Sequence, residues 1–522
     1  MTPKNNLVAG LVLAMATLTH AADSTPAGTW KIPMPTQEGL QVFWLVKLTE
    51  ADGKWTGAIV AAAEGLPKTT LEALNVTKDL VSFRLVIKGD KLPFEMRPAD
   101  GDVMLGSARL GGRAQPLKFE RTSLTAVDPF ELDKEKVAKG PVDQETVKLA
   151  KDLLGQAAAK KAKLLEVRSW AEKAVKTADA FGPAYRRDML LDVAGILNEQ
   201  EGYAPVALQY ARQAERMIDP ARDRAGIQKR TLELLAAVLK NTGKEDEAKE
   251  VAGRVDNIIR VKATPFPGRK AKSDRAVLVE LFTGAQCPPC VAADLGFDAL
   301  ARAFKPSEVV CLEYHLHIPG PDPLTNADTE ARAKFYDRSV RGTPATIFNG
   351  KGGAGGGGGI DDAPDKYEEY CEVIKPLLEK PAKAKIELTA ALKDGKIEIN
   401  ADVSELEVTG DDVRLRLVLV EETVAYKGGN GLRTHHHVVR ALPGGADGTP
   451  LKQKTGKKSA VVDLAELRKT LAAYLDKYAE KEGPFPTKDQ PLELKKLKVV
   501  AFVQNDENIE VLQAVQADVK GE

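Results

Sequence analysis

The sequence predicts a multidomain protein with an antiparallel β domain, a helical domain, an α/β domain and a C-terminal β-sandwich, in that order. Three observations predict it. Apolar alternation broken by Gly/Asp turns runs from about Gly28 to Thr122 and returns after Pro381. Between these, from about Asp143 to Val261, the apolar period becomes helical in a stretch rich in Ala, Leu, Lys and Glu. The run Val277-Leu278-Val279-Glu280-Leu281-Phe282 then leads into Cys287-Pro288-Pro289-Cys290, and helical spacing follows. At 522 residues the chain has room for several domains.

The first residues form a targeting signal rather than a fold element. Lys4 precedes the apolar core Leu7 to Leu18, and Thr19-His20-Ala21-Ala22 supplies small residues for cleavage after Ala21 or Ala22. A signal peptide over 1–22 is expected, so the mature chain is expected to be exported, periplasmic or extracellular, where disulfides persist. No cysteine follows the apolar core for lipid attachment, and no other segment reads as transmembrane. Charge is balanced at 75 basic against 75 acidic residues. That gives no electrostatic basis for nucleic acid or an anionic membrane surface as partner.

In the β domain, 26–124, strands are expected at Val42 to Val46, Lys54 to Val60, Leu80 to Ile87, Leu92 to Met96, Val103 to Leu110 and Pro116 to Phe119. Asp52-Gly53, Gly89-Asp90 and Asp100-Gly101 mark hairpin turns. A small antiparallel barrel or sandwich fits, with Trp30, Trp44 and Trp55 in the core or rim. Nothing there suggests catalysis.

The helical domain, 143–261, carries Glu201-Gly202-Tyr203, Ala207-Leu208, Ala211 and Ala214 before Asp219-Pro220. This resembles a tetratricopeptide repeat, with Thr242-Gly243-Lys244, Ala248 and Ala252 as a second and Ala174 to Ala178 as an imperfect earlier one. The Ala174 to Ala207 interval is within a residue of the repeat length of about 34, while Ala207 to Ala248 is longer. Stacked helix pairs leave a concave surface for docking proteins; the other reading is a helical spacer. Thr264-Pro265-Phe266-Pro267-Gly268-Arg269-Lys270 is a linker into the next domain, 270–380.

There the CPPC motif follows a strand and opens a helix whose Phe297, Leu300, Ala301 and Phe304 share one face. Thiols at a helix N-terminus are biased towards thiolate, the species that exchanges disulfides. Val309 to Tyr314 reads as a buried strand, Ala327 to Ser339 as a helix, and Arg341-Gly342-Thr343-Pro344 enters the apolar run Ala345 to Phe348. From about Ala276 to Lys380 the chain resembles the thioredoxin superfamily, in which a cis-proline at a strand start faces the CxxC pair; Thr343-Pro344 matches that place. The run Val279 to Thr283 before the first cysteine looks like that of secreted bacterial multidomain thioredoxin-domain proteins. The resemblance implies that Cys287 attacks, Cys290 resolves, and Thr343 with Pro344 shapes the substrate groove.

The departures from that pattern carry chemistry too. Gln286 stands where thioredoxins usually have Trp, and Glu280 is the nearest buried acid but one residue out of register. Pro288 and Pro289 lack N–H donors, so the Cys287 thiol is expected to be acidified less than in strongly oxidising relatives. Cys311 and Cys371 lie in apolar patterns and are expected in the core.

Gly350-Lys351-Gly352-Gly353-Ala354-Gly355 to Gly359 lacks the Gly-Lys-Ser/Thr of a phosphate loop and is expected to be a flexible hairpin tip. Five of the six histidines fall in two groups. His315 and His317 end the Cys311 strand, either as loop histidines, with His315 as a proton shuttle for Cys287, or, with the two thiolates, as part of a soft copper or zinc site. His435-His436-His437 lies in a β-stretch whose alternation splits the three between faces, so a surface role is expected.

After Pro381, strands are expected at Ile386 to Ala390, Lys396 to Val403, Val413 to Val420, Thr434 to Leu442, Leu497 to Gln504 and Glu510 to Val519, interrupted by a helix from Asp463 to Tyr478. Alternation at Val413 to Leu417 predicts one buried and one wet face. This region, 381–520, resembles the immunoglobulin-like domain that follows thioredoxin-like modules in some secreted bacterial proteins.

The expected function is thiol–disulfide exchange with protein thiols and disulfides, without a cofactor and with a membrane-bound reductase or oxidase as redox partner, the direction being open. Two alternatives stand beside it: an interaction scaffold whose CPPC is a structural clamp, and a copper- or zinc-handling protein.

Overall fold

The computed structural model describes residues 25–37, 39–99 and 102–521; the expected signal peptide and the expected turn at Asp100-Gly101 lie outside them. The chain divides into two compact units between Ala207 and Leu208.

In the first unit β1 (Gly28–Thr36), β2 (Gly39–Ala51), β3 (Lys54–Ala62), β4 (Thr69–Val76), β5 (Val81–Ile87), β6 (Asp90–Pro98), β7 (Val103–Leu110) and β8 (Arg113–Thr122) form one antiparallel sheet. Its order is β3-β2-β1-β8-β7-β6-β5-β4. The edge strands meet, since a Cβ on Gly57 of β3 would lie 3.1 Å from Leu71 of β4. The sheet therefore curls around a core that includes Trp30, Trp44, Phe83, Phe94, Met96 and Phe119. Trp55 is partly buried at its margin. The strand β1 escaped the sequence pattern because Lys31, Pro33 and Pro35 interrupt its apolar run.

Four helices complete this unit: α1 (Pro129–Lys139), α2 (Gln144–Gly155), α3 (Leu164–Asp179) and α4 (Pro183–Asn198); α5 (Ala204–Glu215) crosses the division. Asp128 accepts from the N–H of Phe130, with Pro129 at the first helical position, and Asp143 accepts from that of Thr146. Each cap satisfies a donor that a helix start leaves free. The α1 segment lies outside the expected helical span because its charged run hides the apolar stripe of Phe130, Leu132 and Val137.

The second unit opens with a helical hairpin, α6 (Ala225–Asn241) and α7 (Glu245–Ile259), joined where Gly243 takes φ 74°. The Pro- and Gly-rich linker after it is not loose. Phe266 donates its N–H to Ala303 O at 2.8 Å and packs its ring 5.0 Å from that of Phe304.

Next come β9 (Val277–Thr283), α8 (Cys290–Ala303), β10 (Val309–His315), α9 (Ala327–Phe335), β11 (Ala345–Phe348), β12 (Lys351–Gly352) and α10 (Ala363–Leu378). They are followed by β13 (Lys385–Lys393), β14 (Lys396–Ser404), β15 (Gly410–Ala425), β16 (Thr434–Ala441), β17 (Thr449–Leu451), β18 (Gly456–Asp463), α11 (Leu464–Glu482), β19 (Leu497–Asn505) and β20 (Val511–Asp518).

One mixed sheet runs β12-β11-β9-β10-β16-β15-β19-β20, with β17 beside β15. Within it β9 is parallel to β10 and antiparallel to β11. The expected boundary at Pro381 does not interrupt this sheet, because β10 pairs with β16 at Glu313 and Val438. A second sheet, β13-β14-β18, packs on the far half through Ile386, Ile397, Leu415, Leu417 and Val499.

The expected wet face of β15 is dry at Arg416, while Arg414 stays partly exposed. Val413, Leu415 and Leu417 face the small sheet, Val418 and Val420 face the opposite core, and Arg416 is 2 % exposed. Arg416 is tolerated because its guanidinium meets both Asp506 carboxylate oxygens at 2.8 Å.

The strand β9 is buried on both faces and so reads as continuous hydrophobicity. Val277, Val279 and Leu281 pack towards α8 and α10; Leu278 and Phe282 pack towards the opposite core with Tyr336 of the α9 end. In α8, Phe297 and Leu300 are fully buried, whereas Ala301, expected on the same face, is exposed. Truncating Phe297 to Ala would cost about 3–5 kcal/mol by the cavity it leaves.

Candidate functional site: the enclosed Cys287–Cys290 disulfide and its charged neighbours

The strand β9 ends at Thr283, and Gly284-Ala285-Gln286 turn the chain into the motif. Gly284 is required there: a Cβ would lie 2.4 Å from Ile318 O. Cys287 and Cys290 form a disulfide with S–S 2.10 Å, and Cys290 opens α8. The Thr343-Pro344 peptide is cis, and Cys287 Sγ lies 3.7 Å from Thr343 O. All four residues expected at the site are thus brought to one place.

The pair is enclosed. Cys287 is 2 % exposed and Cys290 fully buried, although Pro288 and Pro289 face solvent. The glycine run expected as a flexible hairpin tip is instead docked on the motif. The tip of that hairpin is Asn349-Gly350, both at positive φ. Residues 353–359 cross the start of α8, where Gly358 donates to Pro289 O at 2.7 Å and Ala292 donates to Gly358 O at 3.1 Å. A Cβ on Gly357 would collide with Pro289 O at 2.0 Å and Pro344 at 2.9 Å. A second glycine loop packs on the turn that precedes the motif: Asn430 donates to Ala285 O at 3.0 Å, and Gly429 to Gln286 Oε1 at 3.1 Å.

The acid groups are distributed differently from the sequence expectation. Glu280 points away from α8 and is gripped by Arg332 and Tyr336 on the opposite face of the sheet. The acid on the disulfide's own helix is Asp294, one turn beyond Cys290. Its Oδ1 accepts from Thr283 Oγ1 at 2.7 Å, while Oδ2 is buried without a partner. Burial, reinforced by the nearby Glu313 charge, raises its pKa well above the usual carboxylate value.

Below the disulfide lies a cluster that the sequence did not reveal. Glu313 and His315 share the face of β10 that looks towards α8, as positions two apart on a strand must. His315 is fully buried, its Nδ1 2.7 Å from Asp322 Oδ2 and its Nε2 2.7 Å from Glu313 Oε1. Burial opposes protonation of this ring, but the two carboxylates outweigh it and push its pKa up. Burial opposes ionisation of Glu313 and Asp322, but His315 holds both low, joined at Glu313 by the neighbouring His435. Asp322 Oδ2 also accepts the N–H of Ala285 at 2.6 Å, two residues before Cys287.

These contacts correct the expectation for His315, whereas His317 lies in the partly exposed loop after β10, as the loop reading had it. His315 is neither a loop residue nor directed at the thiols, since both ring nitrogens are taken by carboxylates. His317 accepts the N–H of Asp322 on Nδ1 and stacks 3.6 Å from Tyr478, which locks α11 onto the loop. Burial pulls its pKa down to about 4. In the triple-histidine run, His435 and His437 are 2 % and 8 % exposed, so the expected surface role fails for both. The β16 strand lies inside a sheet with both faces covered, which sequence alternation cannot show. Cys311 and Cys371 are buried free thiols, as expected of core residues.

A cavity of about 380 Å³ opens beside the cluster, lined in part by Asp294, Asp298, Glu313, His435 and His436. No helix among the described residues is long and apolar enough to cross a membrane.

No family model and no curated protein matches this chain. Among solved structures, HBP35 of Porphyromonas gingivalis aligns over 48% of this chain and 77% of its own, at 15% identity and a TM-score of 0.32. A lipovitellin structure described for its lipid–protein interactions aligns over 94% of this chain and 60% of its own, at 8% identity and a TM-score of 0.11. Neither likeness is close enough to carry an argument about this chain.

Proposed function

We propose that residues 276–380 are a thioredoxin-like module and that the protein is an exported thiol–disulfide oxidoreductase acting through Cys287 and Cys290. The observation that carries this is the disulfide at the N-terminus of α8 with Cys287 Sγ 3.7 Å from the carbonyl before Pro344. A substrate strand laid along that carbonyl would bring its own sulfur to Cys287.

In the reducing direction the Cys287 thiolate attacks a substrate disulfide, forming a mixed disulfide and releasing one substrate thiolate. The Cys290 thiolate then attacks Cys287 Sγ, freeing the second substrate thiolate and closing the Cys287–Cys290 bond. Two electrons pass to the substrate, and a membrane-bound reductase would return them. In the oxidising direction every step reverses. Because Cys287 is covered, either direction needs residues 353–359 to lift from Pro289. The TPR-like helices would serve as a docking surface for protein partners, and the C-terminal immunoglobulin-like strands as the support on which the module is built.

The same burial favours a second reading, a structural clamp in an interaction scaffold. The reduction potential separates the two. Equilibration in glutathione and dithiothreitol buffers should place the pair between roughly −270 and −120 mV for an exchange enzyme. A value below about −300 mV marks a clamp. Cys290→Ser should then accumulate mixed disulfides with protein thiols if the first reading holds.

A further inference from the structure

We propose that Glu313, His315 and His435 form a binding site for a divalent transition-metal ion, with zinc as the ion their donor set fits best. Glu313 and His315 lie on β10 and His435 on β16, so the site exists only because these two strands pair. One carboxylate oxygen and one ring nitrogen from each histidine lie within 4.8 Å of one another, and all three residues are buried.

The independent sign of a ligand is His435. It is 2 % exposed, yet neither Nδ1 nor Nε2 has a hydrogen-bond partner. Its Nδ1 stands 3.8 Å from Glu313 Oε1, too far for a hydrogen bond and close enough to share an ion. Buried imidazole nitrogens are almost always satisfied, so one aimed into a carboxylate–imidazole pair points to a missing partner.

The distances agree. Zinc–nitrogen and zinc–oxygen bonds of about 2.0–2.2 Å in a tetrahedron place neighbouring donor atoms about 3.3 Å apart. The observed 2.7 Å from His315 to Glu313 and 3.8 Å from His435 to Glu313 bracket that value. Small side-chain rotations would equalise them.

Charge agrees as well. The buried carboxylates of Glu313 and Asp322 flank one shared imidazole, and a divalent ion in place of the Nε2 proton balances both. Asp322 holds His315 by Nδ1, so an ion inserted between Nε2 and Glu313 Oε1 would replace only the 2.7 Å contact between them. This is the carboxylate–histidine–metal arrangement that fixes a ligand's tautomer. The fourth position opens on the 380 Å³ cavity lined in part by Asp294, Asp298 and His436, with Arg260, Arg302 and Arg433 also in its wall, and with room for water or a small anionic ligand. Three protein donors and one open position is the pattern of reactive rather than structural zinc.

The test uses the full mature chain without a histidine tag, its disulfide kept oxidised so that the thiols cannot compete, and stripped by a chelator. Zinc is titrated by calorimetry and cobalt by visible absorption. One ion per chain is expected, with the cobalt bands of a four-coordinate nitrogen and oxygen site. His435→Ala should weaken zinc by about 100-fold or more, and Asp322→Asn by roughly 10- to 100-fold. Should His435→Ala fail to fold, histidine ring nitrogen signals of the wild type decide: zinc must move those of His315 and His435. Absence of stoichiometric binding, unchanged affinity in a folded His435→Ala, or unmoved signals overturns the site.

Discussion

Arg332 holds Glu280 through two hydrogen bonds of 2.8 and 3.0 Å, on the face of β9 opposite to the helix that carries the disulfide. Arg332 also donates to Tyr336 and to Gln504, so the ion pair ties β9, α9 and β19 into one buried network. Both partners are at most 1 % exposed.

Arg332→Met should therefore destabilise the protein by about 3–5 kcal/mol, because it leaves the Glu280 carboxylate buried without its cation. Adding Glu280→Gln should recover part of that loss. Denaturant unfolding of the single and double variants measures both. A loss below about 1 kcal/mol in the single variant would mean that water reaches Glu280.

The Cys287 thiol of the reduced protein should titrate above neutral pH. The Thr343 carbonyl faces its sulfur, which favours the S–H form, and the two prolines that follow supply no N–H to a thiolate. Ultraviolet thiolate absorbance against pH checks this; a thiolate already formed in mild acid would contradict it.

Gly357→Val should speed reduction of the disulfide by dithiothreitol several-fold while leaving the unfolding transition nearly unchanged. The added side chain cannot coexist with Pro289 O and Pro344 in the docked loop, so it exposes the pair. Equal reduction rates in both proteins would show that residues 353–359 do not limit access.

Glu510 makes a pH-dependent contribution. Burial favours its neutral form, but Lys383, at 2.8 Å, and Arg275 outweigh this and lower its pKa below 4.5. A carboxyl lowered in the folded state stabilises the fold above its unfolded pKa, and that stability is lost as pH falls through the folded value. Glu510→Gln should be less stable than wild type at neutral pH, and the gap should close in acid. Melting temperatures across that range measure it; a gap independent of pH would contradict it.

Much of this was legible in the sequence. Strands such as Val81–Ile87 and Lys396–Ser404 alternate apolar and polar residues, and short-range periodicity is enough to find them. Cys287 and Cys290 announced themselves by their spacing after a strand, whereas Thr343 and Pro344 were picked out by a family resemblance. What stayed hidden depends on long-range pairing. Glu313 and His435 are separated by more than a hundred residues and meet only where β10 joins β16. Arg416 looked solvated because its neighbours alternate, and only the opposing core shows that it is dry. The glycine run carried no side-chain signal at all, since its contacts with Pro289 are made by backbone.

The sequence by itself determined most of the strands and helices, though not β1 or α1, and the cysteine pair at a helix start, which follow from interactions among residues close in the chain. Tertiary structure alone decided that one sheet crosses the expected boundary at Pro381, that glycine loops pack against the motif and the turn before it, and that Glu313 and His315 face the distant His435. The physical reason is burial: whether a charge, an imidazole or a sulfur meets water or a partner depends on which distant strand covers it, and periodicity along the chain does not encode that.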